Sequence, residues 1–76
     1  MPPRVIAHPY LKKLGARIRQ LREAKGWNQE QFAAEAGIDR SYAHGLENGR
    51  RNITVLKLHS LARTLGVRIH DFFDRD

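Results

Sequence analysis

Apolar residues recur along this chain at intervals of three and four, and short polar breaks divide the pattern into helices. Pro9 suits a first helical position, and from there Leu11, Leu14, Ile18 and Leu21 make one apolar stripe. Lys25 and Gly26 then supply a dipole-compatible charge and a residue tolerant of φ > 0, so the first helix is expected over residues 10 to 25. Asn28 with Gln31 forms a capping box for a second helix, QEQFAAEA, and Trp27 stands before the cap where it can staple onto Phe32 or its neighbours. Gly37 fits the left-handed position after that helix, and Asp39 caps a third helix through its carboxylate. Asn48-Gly49 ends the third helix.

The stretch from Gln29 to Leu46 therefore reads as helix, tight turn, helix. Phe32, Ala33, Ala36, Ile38, Ala43 and Leu46 fall at spacings that put all six on the inner side of two steeply crossed helices. Ala33 must be small for the second helix to cross over it. Thr54 caps a fourth helix with Val55, Leu58, Leu61, Ala62 and Leu65 on its inner face and Gly66 as its stop, while Leu56 lies off that face. A last short turn or helix over 69 to 74 carries Phe72 and Phe73. Neighbouring helical positions point about 100° apart, so the two rings do not both fit one small core. The surplus phenylalanine and Leu56 point to a self-association surface. The alternative is a last helix broad enough to bury both rings in one chain.

Seventy-six residues allow one small domain, and with no cysteine its stability must come from packing or a partner subunit. No apolar run approaches the roughly 20 residues needed to span a bilayer, and residues 1 to 10 lack the core of a signal peptide, so a cytoplasmic protein is expected. Residues 1–8, with Pro2 and Pro3, read as a flexible arm preceding a domain over 9–76. Val5 and Ile6 offer docking points, and Arg4 is a candidate for the minor groove of DNA. The charge of +6 is uneven: residues 1 to 25 carry seven basic groups against Glu23 alone, and the remainder balances. That asymmetry suits an anionic partner along one side, or a solvated helix face.

Enzyme chemistry finds no foothold. His8, His44, His59 and His70 show no paired metal-ligand spacing, no serine or acid sits in a nucleophile turn, and no phosphate loop is present. No metal, cofactor or small-molecule ligand is expected.

Three segments in order, LGARIRQLREAKG, WNQEQFAAEAGIDRSYAHGLENG and RNITVLKLHSLARTLGV, resemble the lambda-repressor-like, Cro/C1-type (XRE) helix-turn-helix domains over residues 11 to 73. The resemblance implies a compact all-α domain of five helices whose third helix enters the major groove of double-stranded DNA. A helix so placed turns Arg40, Ser41, Tyr42, His44 and Gly45 to the bases. Arg40 is the leading candidate for direct readout, since its fork matches the guanine edge. Gln29 is expected to meet a phosphate and brace the recognition helix, while Arg50, Arg51, Asn52 and Arg17 grip flanking phosphates. Arg22 and Glu47 match a structural ion pair of the family. The family commonly dimerises through its last helices, which implies a homodimer with Leu56, Phe72 and Phe73 at the interface.

Two positions depart from the family. Ala43 is smaller than usual, and Gly45 lacks the usual long polar side chain and costs about 1 kcal/mol in a helix interior. Specificity then leans on Arg40 and DNA shape. The RNIT segment and short length resemble stand-alone regulators, including the controller proteins of restriction-modification systems, which repress by covering promoter elements and activate by touching RNA polymerase. An antitoxin or protein-interaction module with secondary DNA binding, and a phage-type repressor fragment, are the other readings.

Overall fold

A computed structural model describes residues 8–73, and within them the order is α1 (Pro9–Ala24), α2 (Gln29–Ala36), α3 (Arg40–Glu47), α4 (Val55–Leu65) and a closing 3-10 turn (Ile69–Phe72). The proposed arm at residues 1–7, including Arg4, Val5 and Ile6, lies outside the described residues. His8, the last residue of that arm, caps α1, its Nδ1 accepting the Tyr10 N–H.

The helix starts follow from local hydrogen bonding. Asn28 Oδ1 accepts the Gln31 N–H at 2.8 Å while Gln31 Oε1 accepts the Asn28 N–H at 2.9 Å, closing the capping box. Asp39 Oδ1 accepts the Tyr42 N–H at 2.7 Å, and Thr54 Oγ1 accepts the Lys57 N–H at 3.1 Å. Between α2 and α3, Gly37 takes φ of 69°, the left-handed conformation that lets Ile38 fold back so that its N–H donates to the Ala33 carbonyl.

The core is one cluster. Leu14 and Ile18 of α1, Phe32 and Ala33 of α2, Ala43 and Leu46 of α3, and Leu58, Leu61, Ala62 and Leu65 of α4 meet in it, with Trp27, Ala36 and Ile38 packed at its edge. Ala33 and Ala43 bury almost completely, and small side chains there let α2 and α3 approach at the motif's crossing. α1 packs on α3 more intimately than the leucine stripe suggests. A Cβ placed on Gly15 would stand 2.3 Å from the Leu46 carbonyl oxygen and 2.6 Å from that of Glu47. A helix-interior glycine is tolerated where backbone meets backbone.

Three expectations are corrected here. The fifth helix is only a four-residue 3-10 turn, closed by the Asp71 N–H to the Arg68 carbonyl at 2.9 Å. Asp71 braces it by accepting the Arg68 N–H, and that bond lowers the carboxyl pKa below its ordinary value. Val55 was expected inside but is 73% exposed, because it opens α4 one turn before the helix reaches the core. Phe72 is only 2% exposed and completes the core, so it cannot anchor an interface between chains; the surplus ring is Phe73, at 58%.

Gly15→Ala should lower the thermal midpoint despite its better helix propensity. Overpacking of about 1–3 kcal/mol against backbone exceeds the roughly 1 kcal/mol gained in propensity. An unchanged or raised midpoint would mean α1 can retreat from α3 freely.

Candidate nucleic-acid interface

α3 carries two faces with different work. Ala43 and Leu46 face inward, while Arg40, Ser41 and His44 are exposed on the outer side, where Gly45 is buried beneath Arg51. Asp39 fixes where the helix begins, and so fixes the direction in which the first exposed residues leave it.

Its carboxyl end is held by a buried charge network. Arg22 of α1 donates to Glu47 through Nε at 2.6 Å and through Nη2 at 3.0 Å, a two-pronged contact with side-chain exposures of 9% and 3%. Arg22 Nη1 also donates to the Trp27 carbonyl, and Gln29 Nε2 donates to Glu47 Oε1 at 3.1 Å. One carboxylate thus receives donors from α1 and α2. The hydrogen bond to Glu47 raises the Arg22 pKa above its ordinary value. Gln29 braces α3 through this contact.

Gly45 is where the site departs most from its sequence reading. The space a side chain would take there is filled by another residue: a Cβ on Gly45 would meet Arg51 Cγ at 2.9 Å and Nε at 3.1 Å. The Arg51 guanidinium carbon lies 5.5 Å from the Tyr42 ring centre, a cation–π contact. Arg51 therefore lies along α3 from the loop instead of standing in the loop. Ser41, His44, Gly45, Arg50 and Arg51 together line one notch of about 290 Å³. Two arginines, a hydroxyl and an imidazole suit phosphate or a base edge. His44 is steadied from behind, with Asn48 Nδ2 3.4 Å from its Nε2 and donating to its carbonyl at 2.8 Å.

The other candidates fall as follows. Arg40 is exposed at the first position of α3, Tyr42 is half-buried beneath Arg51, and Asn52 is exposed in the loop between α3 and α4. Arg17 stands apart from these residues. Its Nε donates to the Asp71 carbonyl at 2.7 Å and its Nη1 to Gln20, so it ties α1 to the closing turn and is not among the residues around the α3 notch. Sequence reading missed Gly15 and the way Gly45 and Arg51 share one space; unexplained helix-interior glycines were the available signal. Among the described residues no group of three or more histidine or acidic side chains is placed to hold a metal. No helix among them is long and apolar enough to cross a membrane.

Two short helices joined by a glycine turn, set in a helical scaffold and presenting basic and polar side chains, define a helix-turn-helix DNA-binding domain. The chain belongs to the helix-turn-helix family HTH_3, whose profile matches residues 18–72. It is 45% identical over 56 residues to the HTH-type transcriptional regulator y4dJ of Sinorhizobium fredii, across 74% of this chain and 73% of that protein. Its fold matches the restriction-modification controller protein C.AhdI of Aeromonas hydrophila with a TM-score of 0.82 and 41% identity, over 87% of this chain and all of the other. It also matches SinR, the master regulator for biofilm formation, solved in complex with DNA, with a TM-score of 0.74 and 31% identity over 80% and 98% of the two chains.

Arg22→Ala should destabilise the domain by about 3–5 kcal/mol in the fully buried limit, because it strands the Glu47 carboxylate. Arg22→Met combined with Glu47→Leu should be more stable than either single change, as read by urea unfolding. A double variant as unstable as the sum of the singles would show that the charges are needed for more than each other.

Proposed function

We propose that the protein is a cytoplasmic homodimeric transcription regulator that places its two α3 helices in successive major grooves of a roughly palindromic operator, about 34 Å apart. The observation that carries this reading is the notch in which Ser41 and His44 of α3 meet Arg50 and Arg51 of the following loop, with Arg40 exposed at the start of the same helix. Arg40 reads guanine, and Ser41, Tyr42 and His44 complete the base-facing surface. Arg50, Arg51 and Asn52 hold the phosphates on either side. Gln29, tied to Glu47, presents the start of α2 to the backbone of the DNA.

The likeness to C.AhdI over all of that chain supports a controller of a restriction-modification system. Such a regulator represses by covering promoter elements and activates by touching RNA polymerase. Homodimerisation draws on Leu56, 83% exposed, and on Phe73.

Fluorescence anisotropy with the duplex immediately upstream of the protein's own gene tests the proposal, with a random duplex as competitor at two salt concentrations. Binding that survives the competitor and weakens steeply with salt is expected. Equal affinity for both duplexes would overturn it. In the same assay, Arg40→Ala should cost about 1–3 kcal/mol on the upstream site and little on random DNA, whereas Arg50→Ala should weaken both. Equal losses from Arg40→Ala on both would remove Arg40 from base readout.

A further inference from the structure

Asn48, the residue that closes α3, lies one turn beyond His44, and the contacts between them fix more than the position of a ring. Asn48 Nδ2 stands 2.8 Å from the His44 carbonyl oxygen and 3.4 Å from His44 Nε2. A carbonyl oxygen only accepts, so it is the nitrogen end of the Asn48 amide that faces His44. The amide nitrogen carries two hydrogens, one for the carbonyl and one for the ring. Nε2 receives the second only as a bare nitrogen, because an N–H there would set donor against donor. The proton of the neutral imidazole therefore sits on Nδ1.

We propose that Asn48 is a positioning residue for DNA recognition, holding the exposed His44 as its Nδ1–H tautomer so that the neutral ring donates a hydrogen bond to DNA. This rests on the regulator reading and names what one of its residues recognises. The surroundings of His44 have the same polarity. It shares its notch with Arg50 and Arg51, whose guanidinium groups only donate, and with Ser41, whose hydroxyl does either. None of the residues lining the notch is acidic. A site made of donors takes an acceptor, either the N7 and O6 edge of a guanine or a phosphate oxygen, and turns away the amino group that cytosine shows in the major groove. Freed from Asn48, the ring could present a donor or an acceptor at the same place, and that preference would be lost.

Long-range proton–nitrogen NMR of the imidazoles in the full chain, in mildly alkaline buffer, reads the tautomer directly, with the His44 signals assigned from the spectrum of His44→Asn. The wild type should show a protonated Nδ1 and a bare Nε2, and Asn48→Ala should move the ring toward Nε2–H. Anisotropy on the upstream and random duplexes reads the consequence. Asparagine places an amide nitrogen near the site of Nδ1, whereas glutamine places one nearer that of Nε2. His44→Asn should therefore keep its affinity within about threefold, His44→Gln should lose about tenfold, and Asn48→Ala about threefold. Losses on the upstream duplex alone mark a base acceptor, and equal losses on both mark a phosphate oxygen. If Asn48→Ala unfolds, the wild-type tautomer and the two His44 variants decide. A wild-type ring protonated on Nε2, a tautomer indifferent to Asn48→Ala, or a glutamine that serves as well as asparagine would overturn the inference even where the upstream site is bound specifically. Equal wild-type affinity for the two duplexes would instead remove the regulator reading, whatever the tautomer.

Discussion

The contact on which the rest of the molecule depends is the buried pair between Arg22 and Glu47. It joins the last turn of α1 to the last residue of α3, and through Gln29 it reaches the first residue of α2. Three helices that already share one apolar core are thereby also held at one point by directional bonds. A buried pair is weak evidence for net stability, since desolvation offsets much of the attraction. What this one supplies is geometry, because the planar guanidinium accepts only a narrow range of positions for its carboxylate. The outer face of α3 inherits that definition.

Small residues supply the other half of the constraint. Ala33, Ala43 and Gly15 remove side-chain bulk where α2, α3 and α1 come nearest, and the core then closes with modest means: one buried phenylalanine in α2, another in the closing turn, and leucines and an isoleucine between them. In a domain this short there is little apolar area to spare. Close backbone approach substitutes for volume. The same economy explains why Phe72 had to go inside and Phe73 could not follow.

The basic amino-terminal third proves to be used for several purposes. Arg22 is consumed by Glu47, Arg17 by the closing turn, and Arg19 pairs with Glu23 on an exposed stretch of α1 at 3.2 Å. A surplus of charge counted along the chain therefore includes groups already engaged within the fold. The basic groups beside the recognition helix are instead Arg50 and Arg51, in a part of the chain whose charges balance. Arg51 occupies the room left by Gly45, so a glycine that looks like a weakness in the helix becomes the seat for a side chain delivered from the loop.

Much of this was written locally in the sequence. The capping residues Asn28, Asp39 and Thr54, the turn glycines Gly37 and Gly66, and the apolar periodicity of α1, α2, α3 and the later part of α4 act over one or two turns, where spacing and hydrogen-bond chemistry suffice. So did the helix-turn-helix and its outward residues, since period 3.6 assigns faces without reference to the rest of the fold. Other features required the tertiary structure because they depend on which distant segments meet. Only packing could place Val55 outside, choose Phe72 over Phe73, draw Arg17 to the closing turn and lay Arg51 across Gly45. Those outcomes are settled by space shared between residues far apart in the chain, and local pattern carries no measure of that space.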